Sequence, residues 1–368
     1  MTFIEVAGAK IDTRHYIGGQ RVASAETYTN TSPIDGTFLG EISAAGEDEV
    51  NQAVAAAKAA FPGWWKLGAK GRGELLMKLA DLVEANVETL SQLETLDNGS
   101  LLRSHRRGVM PRVAMNIRFF AEYAMNDLKH EDLETRGHTN KISWDPSGVA
   151  AIITPWNAPL MLATWRIGPA LAAGDTVVLK PAEWTPLSAS FFADLTKQAG
   201  IPDGVFNVIQ GYGRVAGAAL TAHKDIARIA FTGSVPTAKI IAKAAAENLT
   251  PTSFELGGKS PLVIFGDSDL ELAATIAVEQ YDNAGQVCLS GTRLLVHESI
   301  ADAFAEKFRE KAALVKQGDP RDETTDIGPQ IHKVHFDRVK GFVDRAREEG
   351  ANIVMGGTPN DELGGLYF

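Results

Sequence analysis

The chain has 368 residues, of which 45% are apolar and 22% charged, a composition typical of globular proteins with about two domains. Acidic residues outnumber basic ones by 46 to 36, and the formal charge of -10 disfavours broad electrostatic binding of nucleic acid or an anionic membrane. A single cysteine excludes an internal disulfide and a CxxC metal site. The N-terminal residues contain no apolar segment typical of signal peptides, so we expect a cytoplasmic protein without a membrane span.

The first third of the chain contains three segments with apolar residues at helical spacing. Residues 47–61 start with acidic residues, which favours a helix N-terminus there. Residues 72–96 continue the pattern and end before Asn98-Gly99. Residues 110–125 predict a third helix, which tolerates Pro111 in its first turn.

Beyond residue 144, short apolar runs alternate with helical patterns. The runs predict strands over residues 148–154, 176–180, 205–209, 226–232, 261–265 and 292–297. The helical patterns cover residues 159–173, 186–199, 213–222, 236–247 and 269–283. This alternation predicts an α/β protein with a mainly parallel sheet, whose ligands bind beyond the carboxyl ends of the strands. We expect a domain boundary in the turn at 256–258.

Polar side chains follow the first two predicted strands of this sheet. Asn157 follows the strand at 148–154, where its amide could donate a hydrogen bond to an oxyanion or cap the next helix. Lys180 and Glu183, three positions apart after the next strand, could bracket a ribose or form a surface ion pair of little energetic weight.

Glycines follow two further strands. Gly233 and Ser234 precede a predicted helix, so they could seat a pyrophosphate at its N-terminus or form a tight turn. The stretch from Gly211 to Gly217 is similar to a dinucleotide-binding fingerprint, but its last gap is one residue too long.

A carboxylate and the thiol complete the set of candidate reactive groups. Glu255 lies between apolar residues beside two glycines, where partial burial would suit a general base, although a satisfied carboxylate near a turn is the alternative. Cys288 could be a small buried apolar residue, but the neighbours Asn283, Gly285 and Gln286 suit a thiol at a functional turn.

Metal binding is not predicted. The eight histidines show no metal-ligand spacing, and His332 and His335 have no nearby residues to complete a ligand set. Asp269, which follows a predicted strand, is interpreted as the N-cap of the next helix.

The order of these motifs along the chain is more informative than any one of them. In sequence they are Pro155-Trp156-Asn157, Lys180-Pro-Ala-Glu183, Phe231-Thr-Gly233-Ser234, Glu255-Leu-Gly-Gly-Lys259 and Asn283-Ala-Gly-Gln-Val-Cys288. Together they resemble the aldehyde dehydrogenase family over nearly the whole chain.

The resemblance implies a role for each motif in the NAD-dependent oxidation of an aldehyde to a carboxylic acid. Cys288 would be the nucleophile, passing through a thiohemiacetal and a thioester, with Glu255 as general base and Asn157 as oxyanion donor. Glu183 favours NAD because a carboxylate repels the 2′-phosphate of NADP. The implied cofactor-binding residues are Trp156, Lys180, Ala182, Glu183, Gly213, Gly217, Phe231, Gly233, Ser234 and Leu256.

The resemblance also implies an architecture. Residues 1–123 and 147–256 would form a Rossmann-like NAD-binding domain, residues 124–146 an oligomerisation hairpin, and residues 257–368 part of an α/β catalytic domain. The partners would be a small-molecule aldehyde and further copies of the chain, in a homodimer or homotetramer.

The substrate is suggested by the helix at 110–125. This segment is similar to that of relatives that act on muconic-type semialdehydes, whose carboxylate could pair with Arg118 or, second, with Arg112. The alternative is a basic helix face that pairs with acidic surface residues. A betaine-aldehyde-like enzyme is the competing prediction, because Trp156 and nearby aromatic residues could face a cation.

Three features depart from the family pattern. Ala238 stands where a glycine is usual, and Tyr281 where phenylalanine is common. The chain ends at Phe368, before a Glu-x-Phe-Gly-Pro motif that normally holds the nicotinamide ribose. We therefore expect an incomplete sequence of a longer enzyme, and poor activity or stability if it is complete. A non-catalytic fragment that binds dinucleotide or a partner subunit is the remaining alternative.

Overall fold

The computed structural model describes residues 2–6, 8–128 and 130–368, which form two compact units. The first unit comprises Met1–Asn30, Leu39–Glu94 and Arg106–Glu255. The second comprises Thr31–Phe38, Thr95–His105 and Leu256–Phe368. The long segment of the second unit begins at the turn that the sequence suggested as a boundary, whereas its two short segments were not predicted.

The chain begins with strands, continues with helices, and largely alternates strands with helices from residue 149 onward. The strands are β1 Phe3–Val6, β2 Ala9–Asp12, β3 His15–Ile17, β4 Gln20–Val22, β5 Thr27–Thr31, β6 Phe38–Ser43, β7 Glu131–Thr135, β8 His138–Ile142, β9 Val149–Ile153, β10 Thr176–Lys180, β11 Phe206–Val208, β12 Arg228–Gly233, β13 Thr252–Leu256, β14 Pro261–Ile264 and β15 Arg293–Val296. The helices are α1 Glu47–Lys66, α2 Gly68–Ala85, α3 Val87–Asn98, α4 Leu102–Ser104, α5 Met110–Asn126, α6 Pro159–Ala173, α7 Leu187–Gln198, α8 Ala218–Ala222, α9 Val235–Glu247, α10 Leu270–Glu279, α11 Ala301–Ala312 and α12 Lys333–Glu348.

The first unit is built around a sheet with strand order β13-β12-β9-β10-β11-β3-β4. Strand β9 pairs in parallel with both β10 and β12, and β10 pairs in parallel with β11. The predicted α/β fold with a parallel sheet is therefore confirmed at its centre. Strands β3 and β4 extend it in antiparallel fashion, and the sequence did not predict them.

Burial explains why the central strands read as continuous apolar runs. Every residue of β9, β10 and β11 is buried, which is typical of parallel strands covered on both faces. Their side chains share one core with helices α2, α5, α6 and α7, and this core includes Leu79, Ile117, Ile152, Ile167, Val177, Leu179 and Phe192.

The strand order creates a switch point beside β9. The chain adds β10 and β11 on one side of β9 and then crosses to add β12 on the other. In register, Ile153 of β9 lies opposite Lys180 of β10 and Phe231 of β12, so β9 and β10 end at the same level and β12 continues to Gly233. Ligands of α/β proteins bind at such a point, beyond the carboxyl ends of the strands.

The second unit has a smaller core. Strands β14 and β15 pair in parallel, and Ile264, Ala274, Ala277 and Phe304 from β14, α10 and α11 form a buried cluster. The predicted N-cap at Asp269 is confirmed, since its carboxylate accepts hydrogen bonds from the backbone N–H groups of two residues in the first turn of α10.

Several predicted helices differ from those observed. The segment at 72–96 is two helices, because Asn86 leaves the helical conformation between α2 and α3. Residues 213–217 form a wide π-helical turn before α8, and α10 ends at Glu279 rather than at 283. Within the described residues, no helix combines the length and apolarity needed to cross a membrane.

Candidate active site

Asn157 lies at the switch point, in the segment between β9 and α6. Helix α6 begins at Pro159 and its N-cap residue is Ala158, so the alternative that Asn157 is the N-cap residue is wrong. The Asn157 side chain is half-buried. Asn157 therefore lies at the carboxyl end of a central strand, the position where ligands of α/β proteins bind.

Lys180 and Glu183 form an enclosed pair at the end of β10. Lys180 is 1% exposed, and its Nζ donates a hydrogen bond to the Pro181 carbonyl oxygen at 2.7 Å and lies 3.6 Å from Glu183 Oε2. Burial lowers the pKa of Lys180, and the nearby Glu183 opposes that shift. The alternative of a surface ion pair is therefore wrong, because Lys180 is in the interior while Glu183 is half-buried.

The stretch from Gly213 to Gly217 lies beside this lysine. A Cβ atom at Gly217 would lie 3.5 Å from Lys180 Cδ, so the turn packs directly on the lysine stem. Gly213 is exposed, and a Cβ there would meet no atom within 4 Å. The fingerprint-like glycines thus adjoin the Lys180 region, in a π-helical turn rather than a Rossmann loop.

The end of β12 is shaped by Gly233. A Cβ at Gly233 would lie 2.5 Å from the Phe231 ring, so a larger residue would force that ring to move. Ser234 is the N-cap of α9 and accepts a hydrogen bond from the Thr237 N–H at 3.3 Å. The Ser234 hydroxyl thus caps α9 in the tight strand-to-helix turn that the sequence left as the alternative. The exposed N-terminus of α9 still favours an anion.

These strand ends fit a dinucleotide. A buried ammonium group, the carboxylate of Glu183 and the N-terminus of the thirteen-residue helix α9 surround the switch point. Trp156 and Trp184 line the two adjoining loops with ring centroids 6.1 Å apart, and Ala182 between them is half-buried. A carboxylate for ribose hydroxyls and a helix N-terminus for phosphate are the groups that such a ligand requires.

Glu255 occupies the end of β13, the outermost strand of the sheet, and is 57% exposed. The expected partial burial is therefore wrong. Its carboxylate Oε1 lies 3.4 Å from Arg166 Nη2 of α6, and Arg166 Nη1 donates a hydrogen bond to Ser253 Oγ at 3.3 Å. Arg166 was not predicted as a site residue, because nothing in the helical pattern of α6 distinguishes it from a surface arginine.

Cys288 is an exposed free thiol in the second unit, so its interpretation as a buried apolar residue is wrong. It follows a strained turn in which Asn283, Ala284 and Gly285 have φ angles of 50°, 56° and 73°. Left-handed backbone at two consecutive non-glycine residues persists only where surrounding contacts hold it. Such strain is frequent at functional sites.

Buried Gln286 supplies much of that support. Its Oε1 accepts a hydrogen bond from the Ile331 N–H at 3.0 Å, and its Nε2 donates to the Asn283 carbonyl oxygen at 3.0 Å. Ser100 donates a hydrogen bond to Asn283 Oδ1 at 2.8 Å. The turn before the thiol is therefore fixed by hydrogen bonds at both ends.

The glycines after Glu255 approach the thiol loop. A Cβ at Gly258 would lie 3.5 Å from the carbonyl oxygen of Cys288, so the backbones of these two residues pack closely. Leu256, at the end of β13, is half-buried. Within the second unit, the Gly258 part of this motif thus packs against the backbone of the cysteine.

The two candidate substrate arginines on α5 have different surroundings. Arg118 pairs with Glu84 and with Asp81, whose Oδ1 is 2.5 Å from Nη2, and these hydrogen bonds raise the pKa of Arg118. This is the acidic-surface pairing that the sequence left as the alternative. Arg112 is exposed and forms no ion pair with any residue in the described part of the chain.

The two departures inside the fold are accommodated. Ala238 is buried on α9, where its methyl group fits without loss of the helix. The Tyr281 ring lies 6.3 Å from the Phe308 ring and is 43% exposed.

In residues 2–6, 8–128 and 130–368, no group of three His, Cys, Asp or Glu residues could hold a metal ion.

Comparisons with known proteins agree on one family. Residues 21–368 match the aldehyde dehydrogenase family. The chain is 40% identical over 346 residues to 5-carboxymethyl-2-hydroxymuconate semialdehyde dehydrogenase of Escherichia coli, covering 93% of this chain and 73% of that protein.

Solved structures give the same result. The structure of PnpE in complex with nicotinamide adenine dinucleotide is 41% identical with a TM-score of 0.94, covering 97% of this chain and 74% of that one. Betaine aldehyde dehydrogenase of Staphylococcus aureus in complex with NAD+ is 36% identical with a TM-score of 0.94, over 97% of this chain and 74% of that chain.

Proposed function

This chain belongs to the aldehyde dehydrogenase family, and from that premise we propose the role of each residue in the oxidation of an aldehyde to a carboxylic acid with NAD. Cys288 is the nucleophile, Asn157 the oxyanion donor and Glu255 the general base. The observation that carries this assignment is the exposed thiol of Cys288, which follows a strained turn and whose backbone packs against Gly258.

The first step is attack of the Cys288 thiolate on the aldehyde carbonyl carbon. The carbonyl oxygen becomes an oxyanion, and the Asn157 side-chain amide and the Cys288 backbone N–H stabilise it by donating hydrogen bonds. Removal of one such donor in other enzymes slows catalysis by about 10²–10³ fold. The product of this step is a thiohemiacetal on the sulfur.

The second step converts the thiohemiacetal to a thioester. The hydride that leaves the former carbonyl carbon would be taken up by bound NAD. Lys180 and Glu183 would hold its adenosine ribose, and the N-terminus of α9 after Gly233 and Ser234 would hold phosphate. Trp156, Ala182, Gly213, Gly217, Phe231 and Leu256 complete this binding surface.

The third step is hydrolysis of the thioester. Glu255 removes a proton from water, the resulting hydroxide attacks the acyl carbon, and the thiolate leaves with the carboxylic acid released. Arg166 orients the Glu255 carboxylate through the 3.4 Å ion pair. The net reaction consumes aldehyde, water and NAD and yields a carboxylic acid, NADH and a proton.

The proposed substrate class is based on the two arginines of helix α5. The acidic partners of Arg118 occupy its guanidinium, whereas Arg112 is exposed and lacks an ion-pair partner among the described residues. We infer that Arg112 rather than Arg118 binds a substrate carboxylate, so the preferred substrate is a carboxylate-bearing semialdehyde. The similarity to the Escherichia coli semialdehyde dehydrogenase supports this class.

The two units have different roles in this proposal. The first unit, whose sheet contains the parallel strands β9 to β12, binds the dinucleotide, and residues 257–368 carry the nucleophile in the catalytic domain. The hairpin β7–β8, within residues 124–146, is almost fully exposed on both strands and serves as an oligomerisation arm. Leu133→Asp on this hairpin should lower the oligomer mass measured by light scattering, while the charge-neutral Thr135→Ser should not.

Because a lone exposed thiol stays reduced in the cytosol, a cytoplasmic location fits the chemistry.

The nucleophile assignment is tested by titrating the chain with iodoacetamide. Since Cys288 is the single cysteine, one equivalent should abolish NADH formation, and prior aldehyde should protect. Cys288→Ser should lose activity by about 10³ fold or more, whereas Ser290→Ala in the same turn should retain it. Full activity after complete alkylation would refute the assignment.

A further inference from the structure

A carboxylate outside the roles above is enclosed in the first unit. Glu94 lies on α3 with no solvent exposure. Its Oε1 accepts a hydrogen bond from the backbone N–H of Leu160 at 2.8 Å and another from the Ser188 hydroxyl at 2.9 Å. Because burial of a carboxylate is unfavourable unless it is hydrogen-bonded, these two bonds are the reason the residue is tolerated there.

The bond to Leu160 provides the N-terminal cap of α6. Pro159, the first residue of the helix, has no N–H, and the N-cap residue Ala158 has no side-chain acceptor. The first amide available at this helix terminus therefore donates to Glu94, which lies on another helix. A carboxylate satisfies such an amide and is favoured by the helix dipole. Asn157 is three residues before the amide that Glu94 holds.

The bond to Ser188 fixes a second helix start. Ser188 lies in the first turn of α7, just after the loop that follows β10 and carries Glu183. A single oxygen atom therefore holds the first turns of both α6 and α7. The loops before these helices contact each other through Trp156 and Trp184, with ring centroids 6.1 Å apart.

We propose that Glu94 is a positioning residue that sets the relative placement of the Asn157 loop and the Glu183 loop. This inference rests on the proposed function, because it assigns Asn157 to the oxyanion and Glu183 to the ribose. Misplacement of a catalytic group by about 1 Å reduces rates by up to about 10² fold, so anchoring of these loops directly affects the rate.

Protonation of Glu94 does not remove the two hydrogen bonds that its carboxyl group accepts. Burial raises the pKa of Glu94 to about 7, and the bonds from Leu160 and Ser188 partly oppose that shift. A protonated carboxyl group keeps a carbonyl oxygen that accepts both hydrogen bonds.

The test compares two replacements of similar size in the full chain. Glu94→Gln keeps a carbonyl oxygen for both donors, whereas Glu94→Leu removes the acceptor. Ser91→Ala is the matched control, because Ser91 is buried on the same helix and its hydroxyl bonds to no described residue. The measurements are kcat and KM for aldehyde and the exciton couplet of the Trp156–Trp184 pair in circular dichroism. The couplet is isolated by subtracting the spectra of matched Trp184→Phe variants.

We expect Glu94→Leu to lower kcat at least about tenfold and to weaken the indole couplet, and Glu94→Gln to restore both to within about threefold. Ser91→Ala should match the unaltered chain. Equal kcat and equal couplets for the Leu and Gln variants would overturn the proposal. If Glu94→Leu does not fold, Ser188→Ala takes its place, with a smaller loss of both signals expected and unchanged signals overturning the proposal.

The two readouts separate this inference from the proposed function. The couplet needs neither substrate nor turnover, so it decides whether Glu94 positions the loops even if the enzymatic assignment fails. Conversely, the couplet could weaken in Glu94→Leu and recover in Glu94→Gln while activity survives Cys288→Ser. That result would reject the proposed chemistry and support the positioning role of Glu94.

Discussion

The guanidinium of Arg166 lies 3.4 Å from the carboxylate of Glu255, and its other terminal nitrogen is 3.3 Å from Ser253 Oγ. The two contacts link helix α6 to the end of strand β13. An exposed carboxylate at the end of an outer strand has many rotamers, and the arginine reduces that freedom. The geometry therefore connects Glu255, the proposed general base, to helix α6, whose first free amide donates a hydrogen bond to Glu94.

Replacement of this arginine should affect the hydrolytic step. We expect Arg166→Gln to lower kcat by about threefold to tenfold, because Glu255 loses its fixed orientation toward water. The pre-steady-state burst of NADH should keep its amplitude, since thioester formation does not use Glu255. Arg228→Gln, at the opposite end of a neighbouring strand, is the control. Loss of the burst in Arg166→Gln would show that the arginine acts earlier in the reaction.

Replacing the two arginines of α5 should have different effects, one on the KM for substrate and the other on the melting temperature. Arg112→Ala should raise KM for a carboxylate-bearing semialdehyde about tenfold, since a charged hydrogen bond is lost, and leave a neutral aldehyde unchanged. Arg118→Ala should instead lower the melting temperature, because Asp81 and Glu84 lose their partner. The inverse pattern, with Arg118 alone affecting KM, would contradict the assignment. A higher kcat/KM for betaine aldehyde than for the semialdehyde would favour the competing substrate class.

Cofactor selectivity should depend on Glu183. Glu183→Gln removes the charge that repels a 2′-phosphate, so the ratio of kcat/KM for NADP to that for NAD should rise about tenfold. Glu247→Gln, at the end of α9, changes the net charge equally and should leave the ratio unaltered. An unchanged ratio in the Glu183 variant would place the selectivity elsewhere.

Acid stability should depend on His15. Burial lowers the pKa of His15 to about 4, and its Nδ1 accepts a hydrogen bond from the Gln210 N–H at 3.0 Å. The folded pKa lies below the unfolded value, so the unfolded chain binds more protons as pH falls from about 6.5 toward 4. The free energy of unfolding should therefore fall by about 2 kcal/mol between about pH 7.5 and pH 5 from this residue alone. Urea titrations of His15→Gln should lack that component, and an identical pH dependence in both chains would exclude it.

The sequence predicted those elements whose ends carry strong local signals. Helix α6 was predicted with its observed bounds because Pro159 opens it and Gly174, with φ of 112°, ends it. Strands β3 and β4 were missed because three residues are too few for a periodic pattern, and antiparallel pairing at the sheet edge depends on distant partners. The break at Asn86 was missed because the apolar spacing continues across it.

The sequence motifs identified the candidate site residues, but they did not predict the surroundings of those residues. Sequence spacing could not reveal that Lys180 is enclosed or that Arg118 pairs with residues of α2, since both facts depend on packing between distant segments. Glu94 escaped notice for the same reason, because a lone glutamate in a helical pattern resembles a solvated one. Burial, rather than residue type, distinguishes these positions.

The most direct test of the account is to trap the acyl group on the sulfur. Glu255→Gln should allow thioester formation and block its hydrolysis, so aldehyde and NAD should produce a stoichiometric burst of NADH followed by slow turnover. Mass spectrometry of the quenched protein should then find the acyl mass on the peptide that contains Cys288. A Glu255→Gln chain that turns over at the original rate, or that carries no acyl group on Cys288 after the burst, would contradict it.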